Sequence, residues 1–340
     1  MAGTMKAWVF ERTGLEGLAW TDVPLPEPGP GEVRVRLRAS ALNHRDLYFL
    51  EGRSKAAPGA ILGSDGAGVV EAIGDGVTGV RVGDEVLIVP SLGWPAKSDA
   101  PPEGFRILGV PDPGTLAEAI VVPAEGVVPK PPYLSWEEAA ALPLSSLTAY
   151  RAVVTRAAVR AGETVLIPGI GGAVAQSALL IARALGARVF ATSRSPEKAE
   201  RARALGAERV FDTAGDFAEA ARAATGGRGV DVVVETVGGV TFGTSLRALR
   251  RGGRLVTFAA GYGGTAEIDI RSFFYGQYTL LGTTMGSTEE FREMVTFFAV
   301  HGLRPVVDRV YPAEAAREAF ERLLRSEQFG KIVLRWTEGL

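Results

Sequence analysis

The sequence predicts an α/β protein with a β-rich first domain and a doubly wound parallel sheet as its second domain. Three observations lead there. Residues 163–194 read as strand, glycine-rich turn, helix and second strand. From about Gly126 onward, short apolar runs alternate with helical patterns. The first 125 residues instead carry short β-rich runs separated by Gly and Pro clusters, as in a compact, partly barrel-like β domain. At 340 residues the chain exceeds the usual single core, so two domains are expected.

Composition narrows the class. Apolar residues make up 46% and charged residues 22%, as in an ordinary globular protein. A net charge of −2 gives no electrostatic case for nucleic acid or an anionic membrane. No apolar run reaches a spanning length, and the N-terminus lacks a signal-peptide core. The absence of cysteine excludes disulfides and thiolate metal sites. A cytoplasmic enzyme is expected. The preference for arginine over lysine fits a GC-rich or thermophilic source.

The elements follow in order. Residues 32–39 and 84–89 are the clearest early strands, and residues 93–114, rich in Pro, Gly and Asp, predict an exposed lobe. Residues 164–168 form the first strand of the sheet, and Gly169 to Ala175 the turn. Residues 177–185 repeat apolar side chains at helical spacing up to Gly186, and 188–192 form the second strand. Four more strands are expected at 208–211, 230–235, 254–258 and 278–283. Pro196 starts a helix that Gly206 stops. Ser287-Thr-Glu-Glu290 is a capping box whose helix runs to Gly302. The tail predicts an amphipathic helix over 312–325 and a last strand over 331–335.

The strand–turn–helix context makes the glycines a dinucleotide site. Gly169 and Gly171 match the start of G-x-G-x-x-G/A, whose last position then falls on Val174. Read one residue longer, the pattern is Gly169, Gly172 and Ala175. Either way, N–H groups around Gly169, Gly171, Gly172, Ala173 and Val174 face a pyrophosphate at a helix N-terminus. An NAD site places Asp or Glu about 20 residues past the glycines, against the ribose 2′-hydroxyl. Here that place reads Ser193-Arg194-Ser195, with Lys198 one turn on. An arginine can hold a 2′-phosphate that a carboxylate would repel, so NADP(H) is the expected cofactor. Alternatively Ser195-Pro196-Glu197 caps a helix and Arg194 is a solvated charge, and both readings are compatible.

The order of β-rich domain, dinucleotide unit and short return segment resembles the medium-chain dehydrogenase/reductase superfamily. The resemblance spans nearly the whole chain. It rests on Gly63-Ser-Asp-Gly-Ala-Gly-Val-Val70, Val82-Gly-Asp-Glu-Val86, Leu147-Thr-Ala-Tyr150, the glycine turn and Gly330-Lys-Ile-Val333. It implies a GroES-like substrate domain over 1–125 and 303–340, and a Rossmann cofactor domain over 126–302, with the active site in the cleft between them. In the zinc-dependent alcohol dehydrogenases of this superfamily, catalytic zinc is held by a cysteine, a histidine and a second cysteine or acid. Those positions fall here on Asn43, Ser64 and Leu144, and the four-cysteine structural lobe falls near 93–114. None of the three is a good zinc ligand. No metal is expected, although His44, Asp46 and Asp65 lie close in the alignment and could in principle recruit one.

Loss of zinc removes a Lewis acid, which direct alcohol oxidation needs. Hydride addition to a quinone or conjugated enone is less demanding, because the charge delocalises and a few hydrogen-bond donors suffice. The zinc-free quinone oxidoreductase branch carries Asn-x-x-Asp-x-Tyr here, and Asn43, Asp46 and Tyr48 match it. The resemblance implies that Asn43 and Tyr48 orient the substrate oxygen. Read without it, Asn43 is a turn residue and Tyr48 a core side chain with a wet hydroxyl. By the same resemblance, His44, Thr148, Thr236, Val237, Phe258, Ala259, Ala260, Leu281, Thr283 and Lys331 contact the cofactor; Phe258 and Leu281 read equally well as core.

The expected activity is therefore NADPH-dependent, zinc-independent reduction of a quinone or α,β-unsaturated carbonyl. The rivals are an alcohol dehydrogenase or carbonyl reductase of the same superfamily, and a non-catalytic NADPH-binding protein. A homodimer through the sixth strand is implied by the resemblance, since 278–283 would otherwise be an exposed apolar edge.

Overall fold

The computed structural model describes residues 3–337; Met1, Ala2 and residues 338–340, which the expected domain limits include, lie outside the described residues. The chain divides into two compact units, residues 1–144 with 286–340, and residues 145–285.

In the first unit, a sheet runs in the order 127–129, 85–88, 65–73, 32–41, 331–335 and 307–312, with 119–123 also paired to 32–36. Alternation along Glu32–Ala41 buries Val33, Val35 and Leu37 on one face, as period-two patterning requires. The last strand, Lys331–Arg335, pairs antiparallel with residues 39–41, so the tail returns to the N-terminal sheet. A three-stranded sheet of 18–24, 4–10 and 60–61 lies in the same unit. Trp20 stacks on Trp336 at 5.9 Å and meets Trp8 at a tilt at 5.4 Å, and Trp8 donates to the Ala313 carbonyl at 2.7 Å. The tail helix is shorter than expected, Ala316–Leu324, because residues 313–315 wind as a 3-10 turn.

The second unit is a six-stranded parallel sheet. Its strands are Thr164–Ile167, Arg188–Ser193, Arg209–Asp212, Val230–Glu235, Leu249–Thr257 and Thr279–Gly282. Their spatial order is 3-2-1-4-5-6, the dinucleotide-binding order with its switch point between strands one and four. Leu166, Phe190, Phe217, Val233, Leu246 and Leu255 form its core. Ser195 caps helix Pro196–Ala204 by accepting from the Lys198 N–H.

The unit boundary differs from the expected limits of 125 and 303. Residues 126–144 and 286–302 group with the first unit. Helix Trp136–Ala141 is tied there by Arg335–Glu137 and Arg304–Glu138 ion pairs, both at 2.6 Å, and Tyr133 donates to the Leu303 carbonyl. Helix Thr288–Val300 carries the expected Ser287/Glu290 capping box. Its first N–H groups, on Thr288 and Glu289, donate to the Trp94 and Pro95 carbonyls. The 93–114 lobe is accordingly anchored: Trp94 is buried against Phe105, although most of 95–105 is exposed.

Candidate functional site

The glycine turn is built for close backbone approach. Gly169 sits at φ +72°, and a Cβ there would lie 2.6 Å from the Val237 side chain. The turn is tethered to the second strand, the Gly169 and Ile170 N–H groups donating to the Thr192 hydroxyl and carbonyl. Helix Ala173–Ala184 follows, and Gln176 is the first donor of its i→i−4 ladder. The Ala173, Val174 and Ala175 N–H groups precede that ladder, which leaves them for a ligand. Buried Gln176 also donates its side-chain amide to the Ile170 and Gly171 carbonyls, at 3.2 and 3.3 Å. Those carbonyls are thereby drawn toward the helix. Gln176 was not expected from the motif.

At the end of the second strand, the expected residues separate. Arg194 is exposed and makes no hydrogen bond or ion pair among the described residues. The Ser193 hydroxyl donates to the Ser195 carbonyl at 3.0 Å and accepts the Ser195 N–H. Its single proton is engaged locally. Lys198 is half-buried one turn on.

The loop after strand four meets the glycine turn across the switch point. The Thr236 hydroxyl donates to the Pro168 carbonyl, and Val237 covers Gly169. Beneath that loop lies a fully buried carboxylate that the sequence did not single out. Glu235 accepts from the Val237 N–H at 2.8 Å, the Gly238 N–H at 3.2 Å, the Thr241 hydroxyl at 2.8 Å, and the Ser245 hydroxyl. Phe258 and Ala259 are half-buried and Ala260 exposed just past strand five. Leu281 is half-buried in strand six. The Thr283 N–H donates to the Thr257 carbonyl, while its hydroxyl has no partner among the described residues. Thr148 is buried, its hydroxyl 3.9 Å from the Met285 sulfur.

In the first unit, Asn43 stands in extended conformation immediately before helix His44–Leu50. The Asp46 carboxylate closes that helix start by accepting the Asn43 N–H at 2.8 Å. Burial raises the Asp46 pKa to about 6, against the lowering pull of Arg45, the Asn43 N–H and Lys331. One Asp46 oxygen has no partner among the described residues. The Asn43 side chain is held by two charged partners. Its Nδ2 donates to Asp65 Oδ2 at 2.9 Å and its Oδ1 accepts from Lys331 at 2.8 Å. The Lys331 ammonium also donates to Asp65 Oδ2 at 2.6 Å and to the Leu42 carbonyl at 2.7 Å.

Lys331 is held within this cluster. Its three N–H bonds meet three protein acceptors, and its side chain is only 3% exposed. Losing one partner of this buried pair would leave a charge uncompensated, at about 3–5 kcal/mol. His44 touches solvent but is crowded by protein; that desolvation, then the Lys331 charge, lowers its pKa and favours neutral imidazole. The Tyr48 hydroxyl has no hydrogen bond among the described residues, and Arg53 lies 4.2 Å from its ring.

The positions aligned with zinc ligands do not fit the metal. Asn43 Oδ1 faces an ammonium, which would repel a dication. The Ser64 hydroxyl donates to the Leu108 carbonyl at 2.6 Å and accepts from Arg45 at 2.8 Å. The Leu144 side chain has no donor atom, and its backbone N–H serves Asp65 Oδ1 at 2.8 Å. Among the described residues no three His, Asp or Glu side chains gather as a metal site requires.

Comparison with known proteins places these features. Residues 29–132 match the alcohol dehydrogenase GroES-like domain, and residues 173–300 match the zinc-binding dehydrogenase domain. Crotonyl-CoA reductase of Streptomyces collinus is 33% identical over 94% of this chain and 82% of its own length. Human quinone oxidoreductase is 29% identical over 96% of both chains. A solved structure described as an NAD-dependent alcohol dehydrogenase is 41% identical, with a TM-score of 0.91 over 97% of this chain and 99% of its own. With both domain families matched in order and relatives aligned over most of their length, the chain belongs to the medium-chain dehydrogenase/reductase superfamily of oxidoreductases.

Proposed function

We propose that this protein is an NADPH-dependent reductase that passes hydride to a quinone or an α,β-unsaturated carbonyl without zinc. The observation that carries the reading is the Asn43 amide, held between Lys331 and Asp65 where zinc-using relatives place a ligand. Bound NADPH supplies the hydride from its nicotinamide ring. The chain's own groups do the rest. The second Asn43 N–H and the Tyr48 hydroxyl donate to the substrate oxygen as negative charge grows on it. One such donor is worth about 3 kcal/mol of barrier. That suffices for an oxygen whose charge spreads through an enolate or hydroquinone, and the closing proton comes from solvent.

On the cofactor side, the Ala173, Val174 and Ala175 N–H groups receive the pyrophosphate, and uncommitted Arg194 receives the 2′-phosphate. The Thr283 hydroxyl is free for the carboxamide. Relatives named quinone oxidoreductase and crotonyl-CoA reductase support the substrate class. The composition suits a cytoplasmic enzyme, and among the described residues no helix is long and apolar enough to cross a membrane. A homodimer through edge strand Thr279–Gly282 would cover exposed Phe274 and Tyr275; a monomer by light scattering would refute it.

The test is the initial rate of NADPH loss with a small quinone and a small enone, after chelation and dialysis, with NADH in parallel. Turnover that survives chelation and prefers NADPH is expected. Activity that vanishes on chelation and returns with zinc overturns the reading. A second reading, an NAD(H)-linked alcohol dehydrogenase, is favoured by the name of the solved relative. It requires alcohol-dependent reduction of NAD⁺ and equal or better use of NADH.

A further inference from the structure

Asn43 is the only asparagine in the 340-residue sequence. It is also buried, at a point where a lysine, an aspartate and a helix start converge. An amide presents two ends of nearly equal size, and only its hydrogen-bond partners decide which end is oxygen. Here both partners decide it the same way. Lys331 can only donate, so the atom facing it at 2.8 Å is the acceptor Oδ1. Asp65, unless protonated, can only accept, so the atom 2.9 Å from its Oδ2 is the donor Nδ2.

Asp65 cannot swing away to relax this arrangement. Its Oδ1 is pinned by the Leu144 N–H at 2.8 Å, and its Oδ2 also receives Lys331 at 2.6 Å. The ammonium in turn is fixed by the Leu42 carbonyl at 2.7 Å. Nδ2 therefore keeps one N–H bound to Asp65 and one N–H that no described group accepts. An ammonium on Oδ1 also draws electron density from the amide, which strengthens the remaining N–H as a donor.

We propose that Lys331 is a positioning residue for the reaction: its ammonium locks the Asn43 amide in the orientation that offers an N–H to the substrate oxygen. Lys331 does not bind the cofactor. The inference rests on the proposed role of Asn43, and its test separates the two.

Because Asn43 is the sole asparagine, protein grown on ¹⁵N-asparagine shows one side-chain NH₂ pair in an NMR spectrum of the NADPH complex. One proton of that pair should exchange slowly, being held by Asp65. In Lys331→Met the pair should shift and lose that protection. The same variant should lower kcat about 10²-fold, as loss of one oriented donor does, and leave the NADPH Kd unchanged. In an Asn43→Ala background, Lys331→Met should lower kcat no further, since both changes remove one interaction. Lys331→Met/Asp65→Asn removes both buried charges and keeps an acceptor oxygen, so it gives the kcat and NADPH Kd readouts if the single variant does not fold, the NMR pair being read only where Asn43 is the sole asparagine.

An NMR pair unmoved by the substitution overturns the inference. So do kcat losses that multiply in the double variant, or an NADPH Kd that rises with the fall in kcat. If the wild-type protein reduces neither quinone nor enone, the proposed function fails, and the NH₂ pair alone decides whether the lock exists.

Discussion

Replacing Glu235 should separate two kinds of loss at the cofactor loop. Three of its four bonds fall on Oε1, from the Val237 and Gly238 N–H groups and the Thr241 hydroxyl, and the Ser245 hydroxyl takes Oε2. Glu235→Gln keeps an oxygen for the first three, and the Ser245 hydroxyl can rotate to accept from the new NH₂. Only charge assistance disappears, which costs about 1–2 kcal/mol. Glu235→Ala strands two buried backbone N–H groups and opens a cavity, while Thr241 can fall back on the Gly238 carbonyl at 3.3 Å. Two orphaned donors plus the cavity come to about 5 kcal/mol. At about 3 °C per kcal/mol for a unit of this size, the melting midpoint should fall about 15 °C for alanine and about 5 °C for glutamine. Calorimetry with and without NADPH reads the midpoint, and hydrogen exchange at Val237 and Gly238 reads the loop itself. An alanine variant that melts with the wild type, or a glutamine variant as damaged as the alanine one, would refute the reasoning.

Gly169→Ala forces a Cβ into a positive-φ site already filled by Val237, so NADPH affinity should fall at least tenfold by fluorescence titration, about 1.4 kcal/mol; unchanged affinity counts against close approach at this turn. Arg194→Ala should weaken NADPH about tenfold or more and leave NADH untouched, since one charge-assisted bond is worth about 1.5–3 kcal/mol; equal losses for both cofactors would dismiss the 2′-phosphate role. Asp231 links the starts of strands one and four. Burial pushes its pKa up, but Arg228, the Thr164 N–H and Arg250 outweigh it and hold the carboxyl at about 2. A depressed folded pKa stabilises the protein above the unfolded value and is lost as pH falls through about 2. Acid titration should therefore cost about 2 kcal/mol between about pH 4 and 2, and Asp231→Asn should remove that slope.

Much of the second unit was legible because parallel strands are short apolar runs and helices between them carry their own punctuation. Pro196 and Gly206 act locally, so their effects survive in any tertiary setting. The unit boundary was not legible: the pattern of 288–300 is that of any amphipathic helix, and it does not say which sheet it covers. Ser193 is ambiguous for a related reason, since a hydroxyl near a ligand position also serves its own turn. Lys331 carried a signal of its partner. A lysine opening the apolar run 331–335 is inward-facing and needs an acid, and Asp65 was its partner across 266 residues of chain. Glu235 ends a run of buried valines and left the same kind of mark. A single asparagine among 340 residues marked the site more sharply than the motif around it.

The antiparallel pairing of residues 331–335 with 39–41 sets the order in which the protein can be completed during synthesis. Residues 145–285 leave the ribosome whole and can close their sheet while the tail is still being made. The first unit emerges earlier yet must wait, because its sheet lacks a strand and Asp65 lacks its cation until residue 331 appears. A chain ending before residue 331 would keep the six-stranded parallel sheet and lose the lysine that pairs with Asp65. The strand at 331–335 thus lets the Asn43–Asp65–Lys331 cluster form only after the six-stranded sheet has been made.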